Sequence, residues 1–196
     1  MADPSVADGI PLPWPNDVVY LPGDCERAAE YRKLCGISLE SCGGGVCVGI
    51  GVNVFPPDVE RPIEGRNIPE YLADLMMDSA SSPAHPSTVR ATIEALDEPE
   101  QAARREELIT DVQREVLARV LVNYGRWREL GFQPSLATYE AVSFLDGRPL
   151  RIETIGGATT VEGVGAGVDE RGRLLVRTAD GVVPVASGEA HVVPLP

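Results

Sequence analysis

Lysine is almost missing from this sequence. Lys33 is the only one, and the other sixteen basic residues are arginines. Histidine is nearly as scarce, with His85 and His191 alone. Both lie far from the four cysteines, Cys25, Cys35, Cys42 and Cys47, and no two cysteines form a Cys-x-x-Cys pair. That argues against a zinc site. Cys35 and Cys47 fall inside apolar runs and read as small core residues, and all four are expected as thiols in a reducing cytosol. A basic excess is missing too. The formal net charge is −13 and the pI about 4.5. This argues against a nucleic-acid-binding surface, which needs a basic patch. No apolar run is long enough to span a bilayer. Residues 1–13 lack the basic and apolar regions of a signal peptide. The expected location is the cytoplasm, with no membrane contact.

What is present is a chain of 196 residues, 43% of them hydrophobic. That suits one domain with a small appendage. Residues 1–13 hold three prolines, two aspartates and a glycine, and read as a disordered lead. Asp17 to Leu21 is a short strand, and Pro22-Gly23-Asp24 turns the chain. Leu34 to Ser41 pairs back after a charged loop. Gly43-Gly44-Gly45 turns into Val46 to Val54, apolar throughout, which reads as a central strand buried on both faces. Three strands joined by local turns make an antiparallel meander.

Helices follow. Pro69 to Met77 suits a short one, and Ser87 is a cap for a second through Val89, Ile93 and Leu96. Leu108, Val112, Val116, Leu117, Val120, Leu121 and Tyr124 mark a long amphipathic helix that Gly125 or Gly131 closes. Its expected task is to cover one face of the sheet. Phe132 to Phe144 joins it to the rest. From Asp146 on, five short runs are separated by glycine turns: 149–155, 159–168, 173–178, 182–185 and 189–193. They predict a small closed β-barrel. The expected fold class is α+β: an antiparallel sheet covered by helices over residues 14–143, then a small barrel over residues 144–196.

Three segments carry the chemistry. They are Trp14-Pro15-Asn16-Asp17, Lys33-Leu34-Cys35-Gly36-Ile37 and Gly49-Ile50-Gly51-Val52-Asn53. Lys33 stands at the mouth of an apolar strand, where a compact cation suits a phosphate or carboxylate. The bland alternative is a solvated surface lysine. Asn16 and Asp17 are also ordinary turn residues, and Trp14 is also ordinary core. Glycines inside strands, such as Gly36 and Gly49, weaken the ladder and often mark close approach of a ligand. Asn53 ends an apolar strand, where a buried amide needs partners. Gly49-Ile50-Gly51 is no dinucleotide fingerprint, since no third glycine or helix follows.

In this order and spacing the three segments resemble the biotin–protein ligases of the biotin/lipoate ligase superfamily. The C-terminal part likewise looks like the SH3-like barrel that closes many of them. The resemblance implies a two-step reaction. Biotin and ATP give biotinyl-5'-AMP and pyrophosphate, with Mg²⁺; a lysine of a biotin carboxyl carrier protein then takes the biotinyl group. It implies that Lys33 is catalytic and contacts the biotin carboxylate and α-phosphate, with Gly36 and Gly49 against biotin. It places Asn16, Asp17 and Asn53 at the nucleotide, Asn53 on the adenine, and makes Asp17 a candidate Mg²⁺ ligand.

The family's catalytic domain starts well before the tryptophan motif, in a part carrying an arginine- and glycine-rich loop over biotin. Here only Met1 to Pro13 precede Trp14, without arginine or a glycine cluster, and Pro13 stands where the family has a basic residue. The chain is therefore expected to match the second half of a ligase, to bind biotin weakly alone, and to lack the helix-turn-helix domain of some members. Uncovered strand edges allow a homodimer. The alternative is an inactive ligase-like module that binds a carrier protein or partner chain.

Overall fold

The computed structural model describes residues 16–21, 31–59, 68–79, 81, 86–153, 160–186 and 188–192. Trp14, Pro15, Cys25, His85, the lead at 1–13 and the Pro22–Asp24 turn lie outside the described residues. The first sheet has the strand order β1-β2-β3, with β1 at Asp17–Tyr20, β2 at Arg32–Cys42 and β3 at Gly45–Val52. Both pairings are antiparallel, as the local turns require. Gly43 and Gly44 alone join β2 to β3, with φ of 54° and 87°. A two-residue turn with both φ positive matches the strand twist and favours glycine.

The strand β3 departs from expectation. It is an edge, paired only to β2 among the described residues. Val46 and Val48 are 65% and 48% exposed, as is Leu39 opposite them at 69%. A run apolar throughout satisfies the pattern of a doubly buried strand, but burial needs neighbours, and no described strand lies on its outer side.

Helix α1 is a single turn at Leu72–Leu75, and α2 spans Val89–Glu94. The α2 cap is Thr88, one residue after the expected Ser87; its hydroxyl accepts from the Ala91 N–H. Val19, Leu34, Cys35, Val54, Ala73 and Ile93 are the buried apolar residues of this half. Helix α3 runs from Glu98 to Leu130, 33 residues. Asp97 caps it through the Glu100 N–H, and Gly131, at φ 70°, ends it. Gly125 is passed without a break because a helix tolerates an isolated glycine.

The sheet-covering role expected of α3 is not seen. None of its residues is buried, and every residue from 117 to 130 is exposed. Its first half is held by α2 and by Arg105, which bonds Asp58 and lies 4.8 Å from the Phe55 ring centroid. The amphipathic pattern is real, but nothing described packs on its second half.

A 3-10 turn at Gln133–Ser135 and α4 at Leu136–Ala141 lead to the second sheet. Its strands are β4 Pro149–Glu153, β5 Thr160–Val168, β6 Leu174–Thr178, β7 Gly181–Val185 and β8 Glu189–Val192. The order is β7-β6-β5-β4-β8. The closed barrel is therefore corrected: the five strands are present, but β7 and β8 stay unpaired edges among the described residues. β5 bends at a register shift between Gly165 and Val168, which curls the sheet without closing it. Its concave side packs Phe144, Leu145, Leu150, Ile152, Val168, Leu174, Val176 and Val185. Leu21 and Tyr31 of the first half lean on that cluster, with Tyr31 edge-on to Phe144 at 5.5 Å.

Candidate functional site

Lys33 is the second residue of β2, and its backbone is held on three sides. Its N–H donates to Ile68 O at 2.7 Å. Its carbonyl accepts from Glu70 N–H at 2.9 Å and from Asn53 Nδ2 at 2.8 Å. With the main chain fixed, the side chain has one clear destination. Its Nζ lies 2.7 Å from Asp17 Oδ1, an ion pair only 29% and 25% exposed.

A β-bulge makes that contact available. Asp17 pairs with Gly36 and Val18 with Cys35, then the register shifts so that Val19 pairs with Lys33. The extra residue re-aims local side chains. Gly36 completes the arrangement. A Cβ there would stand 3.0 Å from Lys33 Cε, 3.1 Å from Nζ and 3.7 Å from Asp17 Oδ1. The absent side chain is thus the seat of the lysine tail.

Cross-strand partners share a sheet face, and alternate residues repeat it. Asp17, Gly36 and Gly51 form one row. Ser38 and Gly49 form the next, where a Gly49 Cβ would meet Ser38 Oγ at 2.6 Å. The result is a flat floor of three glycines with one hydroxyl and one ion pair. Gly51 and Ser38 belong to it although the motif reading singled out neither. The period-2 rule applied to the pair Gly36 and Gly49 would have found both.

Asn16 and Asn53 brace this floor. Asn16 Nδ2 donates to Ile37 O at 2.9 Å, and Ile37 N–H returns to Asn16 O at 2.8 Å. Asn53 N–H donates to Leu34 O at 2.9 Å, and its carbonyl accepts from Leu72 N–H at 2.8 Å. Each asparagine is tied to β2 by side chain and backbone, and Asn53 Oδ1 has no partner among the described residues. Lys33, Asp17 and Gly36 are therefore in direct contact, Gly49 lies one row on, and the asparagines approach through the backbone of β2.

Glu70 is the buried charged residue among the described residues, at 6% exposure, and the sequence did not mark it. Its carboxylate accepts from Arg32 at 3.2 Å and from its neighbour's backbone, Tyr71 N–H, at 3.3 Å. It anchors the segment that holds the Lys33 backbone. Burial pushes the Cys35 thiol up from its ordinary value, the Asp17 charge adds to this, and Lys33 opposes it. Such a thiol is an inert core group.

For a divalent metal the donor set is thin. Among the described residues no group of three histidine, cysteine or acidic side chains gathers, and Asp17 Oδ1 is already on Lys33. One carboxylate oxygen, Oδ2, is left. That fits Mg²⁺ only as Mg²⁺ is commonly held, by one carboxylate with substrate phosphates. The floor is open. Two cavities, of about 200 and 390 Å³, lie instead beside α2 and α3, and Lys33 lines neither.

Residues 147–192 match the family model described as the biotin protein ligase C terminal domain. The fold is shared with the biotin protein ligase from Aquifex aeolicus at TM-score 0.60 and 20% identity, covering 96% of this chain and 71% of that one. An apo structure of that ligase gives 0.60 and 20%, covering 96% and 72%. Its complex with biotin and ATP gives 0.56 and 20%, covering 96% and 67%. Among the described residues no helix is long and apolar enough to cross a membrane. This chain therefore has the fold of the biotin protein ligase from Aquifex aeolicus over nearly all its length, and its residues 147–192 match the biotin protein ligase C terminal domain.

Proposed function

We propose that this protein works as a biotin–protein ligase: it activates biotin with ATP to biotinyl-5'-AMP and transfers the biotinyl group to a lysine of a biotin carboxyl carrier protein. The carrying observation is the Lys33 ammonium, seated on Gly36 and held 2.7 Å from Asp17 beside a glycine floor.

The first step brings two anions together, the biotin carboxylate and the α-phosphate. Fixed positive charge where they meet lowers the barrier, because it needs no reorganisation during reaction. Lys33 supplies that charge, and its fixed backbone supplies the position. The bare faces of Gly36, Gly49 and Gly51 let the bicyclic ring system of biotin approach the strands closely. Asn53 Oδ1 is an acceptor for the exocyclic amine of adenine, and Asn16 and Asp17 stand at the phosphate end. Asp17 Oδ2 would hold Mg²⁺ together with the ATP phosphates, and the ion would offset their charge there.

The open floor limits the second step. A mixed anhydride exposed to water hydrolyses or diffuses away. The chain alone should therefore bind biotin weakly and label a carrier slowly. Incubation with biotin, ATP, Mg²⁺ and an apo carrier protein tests this. Slow, ATP-dependent biotin on the carrier is expected. No ATP-dependent label at any protein concentration would remove the reading.

A second reading is a ligase-like module that binds a carrier protein or partner chain. The apolar side chains on the β3 edge and the second half of α3 favour it. Under that reading the carrier co-elutes with the chain and gains no biotin. This reading places the protein in the cytoplasm, where Cys35, Cys42 and Cys47, free thiols in the structure, stay reduced.

A further inference from the structure

We propose that Asp17 and Gly36 form a mount that keeps Lys33, the only lysine of the chain, from accepting the activated acyl group made beside it. Asp17 is the positioning residue of this mount. The inference rests on the ligase reading above and adds a second task to the same residues.

The chemical problem follows from the reaction. Biotinyl-5'-AMP is a mixed anhydride that acylates lysine amines. A lysine placed at its carboxyl carbon is an acceptor as good as the carrier's. In the unwanted reaction the free amine of Lys33 attacks the acyl carbon. A C–N bond forms, the C–O bond to phosphate breaks, AMP leaves with the bonding electrons, and the surplus amine proton goes to water. The product is a neutral amide. The charge that the next turnover needs is gone.

The structure restrains this step at two points. Lys33 Nζ must leave Asp17 Oδ1, 2.7 Å distant, and swing away from it before it can reach a carbon. The tail is also seated, with Cε and Nζ over the bare Gly36 face at 3.0 and 3.1 Å from a Cβ built there, closer than ordinary van der Waals contact, so only glycine leaves the tail this seat. A second observation lies in the composition. All sixteen other basic residues are arginines. A guanidinium stays charged in proteins and offers no free amine. Lys33 is therefore the one side-chain amine that the protein's own product can reach, and it is the one held by a carboxylate.

Because Lys33 is the only lysine, acylation can be followed without ambiguity. The folded chain is treated at neutral pH with N-acetoxysuccinimide, a small acyl donor, in the absence of biotin and ATP. Peptide mass spectrometry reads acetyl on Lys33 against acetyl on the N-terminal amine. Asp17→Asn should acetylate Lys33 roughly fivefold faster than the parent, the scale of one partly exposed ion pair, with the N-terminal amine unchanged. Asp17→Glu should stay within about twofold of the parent, since it restores a charged partner. Cys35, 8% exposed, reports folding by resisting a thiol reagent in every variant. Equal Lys33 rates in the parent and Asp17→Asn, with Cys35 protected, would overturn the proposal. If Asp17→Asn loses that protection, Gly36→Ala takes its place: faster acetylation supports the mount, and an unchanged rate overturns it. A parallel arm uses synthetic biotinyl-5'-AMP as the donor and should rank the variants alike. Ranking by the small donor without any reaction of biotinyl-5'-AMP at Lys33 would count against the ligase reading while leaving the mount intact.

Discussion

In the C-terminal sheet, Leu150, Ile152, Leu174 and Val176 are at most 1% exposed; in the N-terminal sheet, Leu39, Val46 and Val48 are 48–69% exposed. Each sheet is antiparallel, and their strands are of ordinary length. They differ in what lies against them. The C-terminal sheet curls over its own side chains, with Phe144 and Leu145 closing the cluster. The N-terminal sheet presents Gly36, Gly49 and Gly51 on one face, with no side chains to pack, and Leu39, Val46 and Val48 on the other, where they stay exposed. Packing free energy is therefore concentrated in one sheet and chemistry in the other. A strand face left bare for a ligand cannot also serve as a core.

The largest contrast should come from core changes. At Gly165 a Cβ would run into the Leu145 carbonyl, and its carbon at 2.8 Å. Gly165→Ala should cost several kcal/mol, because backbone on both sides has to move; steric conflict of this kind gives the exceptional losses above about 4 kcal/mol. Leu150→Ala should cost about 2–5 kcal/mol through the cavity it leaves. At about 2–4 °C per kcal/mol for a chain of this size, either change is plain in a thermal melt. A small shift in both would mean that the C-terminal sheet does not carry the stability assigned to it.

An intermediate effect belongs to Tyr139, edge-on to Phe132 beside the C-terminal cluster. Burial pushes its hydroxyl up to about 12. The folded state then keeps a proton that the unfolded state releases near pH 10. Stability should be level below about pH 10 and fall as pH rises from about 10 to about 12. Tyr139→Phe should flatten that part of the profile in pH-dependent unfolding. An unchanged alkaline slope would assign the loss to other groups.

The smallest effect is expected on the exposed side. Leu121, 62% exposed on α3, touches no described core. Leu121→Glu should change stability by less than about 0.5 kcal/mol, and it should raise solubility by interrupting the apolar stripe. A loss like that of Leu150→Ala would show that this face is covered in solution.

The comparison also explains what the sequence could show. Strands β4 to β8 were legible almost to the residue, since short β-rich runs and glycine turns are local signals. So was the Gly43-Gly44-Gly45 turn, although Gly45 already belongs to β3. The failures concern partners rather than elements. An apolar run says that β3 is a strand, not that a neighbour covers it. Helical spacing gives α3 an apolar face, not something for that face to meet. Closure of the last sheet depends on β7 reaching β8, which no local pattern encodes. In the site, the bulge at Val18 and Val19 brings Asp17 onto Lys33, and a one-residue register shift leaves no mark in the motif. Ser38 was within reach of the period-2 rule, whereas Glu70 was missed because its importance comes from what folds opposite it.

The central claim is that Lys33 supplies the charge at which biotin is activated, and biotin-dependent exchange of pyrophosphate into ATP tests it most directly. The assay isolates the first step and needs no carrier protein. With biotin at high concentration, the parent chain should exchange above its biotin-free blank. Lys33→Ala should lower that exchange about 100-fold or more, as loss of one preorganised donor at a transition state does, and its melting temperature should stay close to the parent's. Exchange by Lys33→Ala at the parent rate would contradict the account.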